Sequence, residues 1–401
     1  MMNKPGPYFL HPVSLKDFFS TYWEKQPLHI HRKDGFSQTL LDLATIEFLM
    51  ASQPLYFPGV QLTQAGKVID VASYADEQNR ILPLRLFEQH AQGGTIILSQ
   101  AQKLFAPLNE ICREIMRTMN MRCQANVYLS PPGNQGFNAH YDTHDVFILQ
   151  VSGAKTFNFY PSPIELPYPE DSFDAGNITS NEIDESIDLV AGDTLYIPRG
   201  VVHDAVADSS RSSLHITLGV YPVLIRDMLQ EAIQCVSEQD VGFRQSTDTF
   251  SVSREELDGG VEPLTQILVS RMQEVRAWLA DPDSIKLLQG RFLDQLSIDA
   301  LQDCQGVSLR MSHMESADGQ LPPFEIVRVR QELIINYERF PGGLKIRTFG
   351  QVVEFSDPLS GIIEKLLDAG ELRREELGDL NATQTVAAIK RLLQENLVDV
   401  F

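Results

Sequence analysis

Between Gln124 and Tyr221 the chain breaks into short runs of β-branched and aromatic residues: ANVYLS, DVFILQV, TFNFY, IDLVA, TLYIP and LHITLGVY. Pro, Gly, Asn and Asp separate them. Strand formers in runs this short, with turn residues between, bury a common core as a β-sandwich or a barrel. Eight acids and no base lie between Ile164 and Asp188. That stretch reads as a solvated loop over the barrel mouth.

The flanks read differently. Ser14-Leu-Lys-Asp17 has the form of a helix N-cap with an acid three residues on. FFSTYWEKQ then reads as a short helix ended near Pro27, and LHIH as a strand. LLDLATIEFLM and KLFAPLNEICREIMRTMN look helical, and TIILS looks like a strand. After Pro222 the texture turns helical, first in VLIRDMLQEAIQCVSEQ, then in the long PLTQILVSRMQEVRAWLADPDSIKLLQGRFLDQLS. A helical hairpin without a core of its own needs a surface, either a second copy of the chain or its own barrel. From about Pro322, strand-like FEIVRVR, GLKIRTFG and QVVEF lead to Ser356-Asp-Pro358, which opens a helix well. Helix, short helix, longer helix and strand follow, the order of a winged helix. The last long helix carries only Lys390 and Arg391 as bases, few for a DNA-recognition helix, so a structural or protein-binding role is expected. The divisions fall at 1–222, 223–320 and 321–401.

Bulk properties narrow the function classes. The 401 residues hold no run of ~18 apolar positions, so no transmembrane helix is expected. The N-terminus lacks the apolar core and cleavage site of a secretory signal. Cys112, Cys123, Cys235 and Cys304 are scattered and form no CxxC, which argues against thiolate zinc and fits a reducing cytoplasm. A net charge of −21 disfavours nucleic acid and anionic membrane as partners and favours a basic protein or peptide.

The chemistry concentrates in FNAHYDTHDVFILQVSGAKTFNFY, residues 137–160. His140 and His144 have the spacing of a helical zinc-protease pair, but position 141 is Tyr where that motif needs Glu, and the segment is rich in strand formers. On a strand, His140 and Asp142 share one face. A third ligand comes from Gly192-Asp-Thr-Leu-Tyr-Ile-Pro198-Arg-Gly200-Val-Val-His203, where Gly and Pro shape a turn that delivers His203 from a neighbouring strand. Two His and one carboxylate, with open positions, is the arrangement of non-haem Fe(II) oxygenases. His144 and Asp145 compete as ligands. Lys155 stands beside the apolar TFNFY: either it faces an anion, or it points to solvent beside the turn Ser152-Gly153.

HYD, FILQVSGAKTFNFY, GDTLYIPRGVVH and SLHITLGVY together resemble the JmjC subgroup of the cupin superfamily, above all the ribosomal oxygenases, which hydroxylate ribosomal proteins. FFSTYWEKQPLHI is similar to that subgroup's N-terminal pattern, and the order of barrel, helical region and winged helix is similar too. The likeness covers nearly the whole chain, strongly at the metal motifs and weakly in the C-terminal third. It implies a mainly β catalytic domain, a double-stranded β-helix of jelly-roll (cupin) type. A helical dimerisation region and a C-terminal winged-helix-like α+β domain would follow, in a homodimer. It implies Fe(II) on His140, Asp142 and His203, with 2-oxoglutarate and O2 as cosubstrates. Lys155 matches the lysine that pairs with the far carboxylate of 2-oxoglutarate. Asn126, Thr217 and Tyr128 are further candidate contacts, with His215 beside Thr217 and His144 substrate-facing or structural. One departure is Ala207, where the general cupin pattern has Asn. The implied reaction is hydroxylation of a His or Arg side chain of a ribosomal protein. Two other readings stay open: a non-catalytic cupin that binds or regulates, and the same chemistry on RNA or a small molecule.

Overall fold

The computed structural model describes residues 6–174, 182–246, 262–303, 324–330, 333–348, 351–357, 359–377 and 382–401. Pro358, Cys304 and the middle of the acidic stretch, on which expectations above rest in part, lie outside them.

In chain order the first helices are α1 (Leu15–Asp17), α2 (Phe36–Leu40), α3 (Leu43–Ser52), α4 (Pro83–Ala91) and α5 (Ala106–Met119). Around and after them run β1 (Leu28–Ile30), β2 (Val60–Gln64), β3 (Lys67–Val68), β4 (Thr95–Leu98), β5 (Arg122–Ser130), β6 (Asp145–Ser152) and β7 (Ala154–Tyr160). β8 (Glu185–Val190), β9 (Thr194–Ile197), β10 (Val202–Ala207) and β11 (Ser213–Tyr221) complete this part. Ser14 caps α1, its Oγ accepting from the Asp17 amide at 3.1 Å. α5 starts with Pro107 in its first turn and stops at Asn120, whose φ is +55°. Between them Leu108, Ile111, Cys112, Ile115, Met116 and Met119 form one buried stripe that packs on β5.

A large antiparallel sheet has the order β1-β9-β6-β11-β5-β4-β2-β3, and a smaller one has β10-β7-β8. Alternation along the strands decides what each face meets. Phe147 and Leu149 of β6 join the core shared with the N-terminal helices. Val146 and Ile148 point the other way and pack with Phe157, Phe159, Leu189 and Leu195 between the two sheets. Both faces are therefore covered, which is why DVFILQV reads as an unbroken apolar run. On β5 and β11 only one face is apolar. Ala125, Val127, Ile216 and Leu218 enter the outer core, and the alternate residues Asn126, Tyr128, His215 and Thr217 line the space between the sheets. The acidic stretch is not loop throughout: Glu185 to Val190 form β8, because Ile187 and Leu189 turn inward while the alternate Ser186, Asp188 and Val190 stay exposed.

Beyond the barrel come α6 (Ile225–Gln239), α7 (Glu262–Leu279) and α8 (Pro282–Asp303). α8 lies on its own barrel: Leu296 enters the main core, and Asp299 sits 3.4 Å from Arg122. The last part holds β12 (Ile326–Val329), β13 (Asn336–Phe340), β14 (Gly343–Thr348), β15 (Gln351–Ser356), α9 (Leu359–Ala369), β16 (Glu371–Arg373), a short 3-10 turn (Arg374–Leu377), α10 (Ala382–Gln394) and β17 (Val398–Val400). It has a hydrophobic cluster of its own around Val327, Leu344, Ile363 and Leu392. No described helix is long and apolar enough to cross a membrane.

The turn between β6 and β7 is the tightest point of the barrel. Gly153 has φ +69°, and a Cβ there would lie 2.1 Å from the carbonyl oxygen of Ser212. Gly153→Ala is expected to destabilise the barrel by about 3 kcal/mol, the upper end of ordinary point substitutions. Urea denaturation followed by tryptophan fluorescence checks this; a midpoint equal to the native one contradicts it.

Candidate active site

A cleft of about 140 Å³ opens between the two sheets. His140, Asp142 and His203 stand on its wall, with ligand atoms all within 4.8 Å of one another. The route by which they meet differs from strand alternation. His140 lies in a lone antiparallel bridge to His203, and Asp142 lies in the loop before β6. Two backbone bonds form that bridge, His140 N–H to His203 O at 3.0 Å and His203 N–H to His140 O at 2.8 Å. Gly200 N–H donates to the Asp142 carbonyl at 3.0 Å, which fixes the loop against the turn between β9 and β10. That turn carries the chain from the large sheet to the small one. Gly200 has φ +85°, and a Cβ there would press on Pro167 and the Ile164 carbonyl at 2.7 and 2.9 Å.

The imidazoles are held by their outer nitrogens. His140 Nδ1 bonds the Asn138 carbonyl at 2.8 Å, and His203 Nδ1 bonds the Val201 carbonyl at 2.9 Å. Each Nδ1 must carry the proton, so each Nε2 presents a lone pair. His203 Nε2 lies 3.9 Å from Asp142 Oδ2, and the two rings are 4.8 Å apart. Burial, helped by the neighbouring His140, pushes His203 down to about 4 and keeps it neutral. Two imidazoles and one carboxylate converging on one point, with the remaining directions open to the cleft, suit a divalent metal.

Asp145 is not part of this set. It is fully buried, accepts from Tyr196 Oη at 2.6 Å and pairs with Arg199 at 3.1 Å. Arg199 in turn holds Glu24. Burial raises the Asp145 pKa against the pull of Tyr196 and Arg199. His144 lines the cleft and makes no hydrogen bond at its buried Nδ1.

Lys155 points inward. It is 5 % exposed, and its Nζ donates to Ser130 Oγ at 3.3 Å. No carboxylate pairs with it among the described residues. Burial lowers its pKa to about 8. His215 lies flat on Tyr128, with ring centroids 4.9 Å apart and planes 4° apart, and its buried Nδ1 has no hydrogen-bond partner among the described residues. Burial, then the Lys155 charge, holds His215 well below the usual imidazole range. Asn126 Oδ1 accepts from the Gln100 amide at 3.1 Å and from Gln124 Nε2 at 3.2 Å. Burial and the nearby Asp142 push the Tyr128 phenol up. Thr217 pairs in register with Asn126 on β5 and Ile148 on β6.

Every residue expected at the site lines this cleft. Sequence reading missed Ser130 and Thr95, whose hydroxyls join at 3.1 Å beneath Lys155. The period of two from Asn126 through Tyr128 reaches Ser130 and would have found it. It also missed Phe137 and Phe173, which flank His140 at 5.6 and 6.4 Å. Phe173 belongs to the acidic stretch, and the Tyr141 hydroxyl meets the carbonyls of Asp171 and Ser172 at 3.4 Å. That part of the stretch packs beside His140 and Tyr141.

His140→Ala and His203→Ala are each expected to lower Co(II) affinity by more than about 100-fold, since losing even a group behind the ligands costs 10–100-fold. Asp145→Asn should bind Co(II) as the native chain does and unfold at lower urea. Calorimetric titration and denaturation check both. Loss of Co(II) binding in Asp145→Asn, with the fold intact, would contradict the ligand assignment.

Residues 98–228 match a family model described as the JmjC domain. The chain is 34% identical over 239 residues to the bifunctional lysine-specific demethylase and histidyl-hydroxylase NO66 of Drosophila grimshawi, covering 56% of this chain and 31% of that one. Its identity to the protein of the same name from Dictyostelium discoideum is 30% over 251 residues, covering 58% of this chain and 47% of that one. The chain spans about a third of the length of the first of these curated relatives, and under half of the second. Among solved structures it is similar to the Escherichia coli ribosomal oxygenase YcfD, with a TM-score of 0.54 and 16% identity over 97% of this chain and 98% of that one. A YcfD structure in complex with cobalt and 2-oxoglutarate gives a TM-score of 0.54 at 15% identity, with the same coverage. At such identity this likeness speaks for the fold. Residues 98–228 are therefore similar to the JmjC domain, and the chain has a fold like that of the YcfD structures.

Proposed function

We propose that this chain is an Fe(II)- and 2-oxoglutarate-dependent oxygenase that hydroxylates a His or Arg side chain of a ribosomal protein. The observation that carries it is a pair of unmet demands in one cleft. Two Nε2 lone pairs and a carboxylate converge without a cation. A buried lysine lines the same cleft with no carboxylate partner among the described residues. A divalent metal answers the first, and the far carboxylate of 2-oxoglutarate answers the second. The relatives' names, histidyl-hydroxylase and ribosomal oxygenase, support the substrate class.

His140, Asp142 and His203 would hold the metal. Lys155, with Ser130 behind it, would hold the carboxylate, and Asn126, Tyr128 and Thr217 would flank the cosubstrate. Bound there, Fe(II) with 2-oxoglutarate and O2 supplies an oxidant able to attack an unreactive C–H bond, releasing succinate and CO2. The protein's own part is placement. The carbonyls of Asn138 and Val201 fix the ring tautomers. Ile148 and Phe157 keep the inner end apolar and exclude water. The net charge of −21 favours a basic substrate segment.

The same reading extends to the rest of the chain. Residues 1–222 form the catalytic part, 223–320 a helical dimerisation region and 321–401 a winged-helix-like domain. Dimerisation is supported by apolar side chains left in solvent: Ile225, Leu229 and Ile233 along one face of α6, and Ile267, Leu268, Val269 and Met272 on α7. The order α9, short turn, α10, β17 supports the winged-helix reading. Cys112, Cys123 and Cys235 are buried and form no disulfide among the described residues, which fits a reducing cytoplasm.

Ribosomal proteins incubated with the enzyme, Fe(II), 2-oxoglutarate and O2 are expected to gain the mass of one oxygen atom on a His or Arg, with matching succinate. Lys155→Ala should abolish both. Succinate formation without any oxidised ribosomal residue, or loss of a methyl group from lysine instead, would overturn the substrate assignment.

A further inference from the structure

The face that β11 and β5 turn toward the cleft is an ordered series. On β11 it runs His215, Thr217, Gly219, Tyr221, and opposite them on β5 stand Tyr128, Asn126, Gln124 and Arg122. Lys155 belongs to the His215 end, where its charge acts on that imidazole. His144 sits at the other end, where Arg122 pairs with Asp299 and lies over Tyr221. Its ring stands edge-on to Tyr221, with centroids 4.7 Å apart. It fills the space over Gly219, where a Cβ would lie 3.3 Å from its Cε1 and 3.4 Å from its Nε2. His144 is half-buried, lines the cleft and makes no hydrogen bond from either ring nitrogen among the described residues.

A neutral imidazole offers one acceptor and one donor. Nδ1 is closed off by its surroundings, so Nε2 is the ring nitrogen that a group in the cleft can reach. The cosubstrate's carboxylate end belongs at Lys155, so the partner for His144 comes from the other direction, past the metal ligands.

We propose that His144 is a substrate-positioning and specificity-determining residue: its ring, seated over Gly219 against Tyr221, accepts a hydrogen bond from an N–H of the substrate segment entering at the far end of the cleft from Lys155. This rests on the oxygenase reading above. It adds that the substrate presents an N–H donor there, as an imidazole, a guanidinium or a peptide amide does. Gly219 is part of the device, since a larger residue would displace the ring.

The test uses the full chain loaded with Fe(II) and 2-oxoglutarate and a panel of His- and Arg-centred peptides tiled over ribosomal proteins. On the best peptide, His144→Leu is expected to raise KM by about tenfold or more. His144→Asn, which keeps a donor and an acceptor, should recover most of that. Gly219→Ala, which keeps His144 but crowds its ring, should fall between. Anaerobic 2-oxoglutarate affinity of the Mn(II)-loaded chain should be the same in His144→Leu as in the native chain. If His144→Leu hydroxylates the peptide with native KM, the proposal is wrong while the oxygenase reading stands. If 2-oxoglutarate affinity falls in step with the rise in KM, His144 is a packing residue and the proposal is wrong. If the native chain hydroxylates no peptide, the substrate reading fails and the proposal goes with it.

Discussion

Everything at the site hangs on two backbone hydrogen bonds between His140 and His203. They join the loop before β6, which belongs to the large sheet, to β10, which belongs to the small one. Residues 63 positions apart thereby acquire a fixed separation that side-chain packing alone would not give. The outer ring nitrogens are then spent on local carbonyls, two residues back in each case. What remains is a pair of inward lone pairs beside Asp142. The bridge is thus both a join between sheets and the device that orients two ligands.

The cleft behind this bridge separates charge by position. A carboxylate and two imidazoles converge at one point of its wall, and the buried Lys155 ammonium lines the same cleft, bonded to a hydroxyl and to no carboxylate among the described residues. Burying a cation that way costs several kcal/mol unless an anion joins it. Burial accordingly lowers the Lys155 pKa. Asp145 shows the contrast. It is as buried as any residue in the barrel, yet Tyr196 and Arg199 meet it fully, so it asks for nothing further. An unmet buried charge in a cleft points to a ligand, and a met one points to architecture.

Much of this was legible in the sequence, and the limits have physical causes. The strand runs follow from alternation and turn chemistry, both local, and the boundary near Pro222 from the change of period. The helix α5 follows from its buried stripe. The extent of β8 was hidden because it opens on the exposed Glu185 and alternates the inward Ile187 and Leu189 with the exposed Ser186 and Asp188. The ligand set was legible as motif, but the reason the three meet was not, since it is a bridge across 63 positions rather than strand alternation. Asp145 could not be separated from the ligands by sequence, because its partners Tyr196 and Arg199 lie 51 and 54 residues away. Whether Lys155 turned inward was likewise open until the register of β7 between β10 and β8 placed it beside Leu189 and Ala207.

The most direct measurement is anaerobic 2-oxoglutarate affinity of the Mn(II)-loaded chain as a function of pH, native against Lys155→Ala. Burial sets Lys155 at about 8, so the ammonium that a carboxylate needs is already present below that pH. Above it, binding must take up a proton, and affinity falls by about tenfold per pH unit. The account therefore requires tight binding that is level up to about pH 8 and weakens beyond it, with Lys155→Ala binding weakly and showing no such bend. Equal affinities in the two proteins, or native binding unchanged well above pH 8, would contradict the claim that this cleft holds a metal and a carboxylate together.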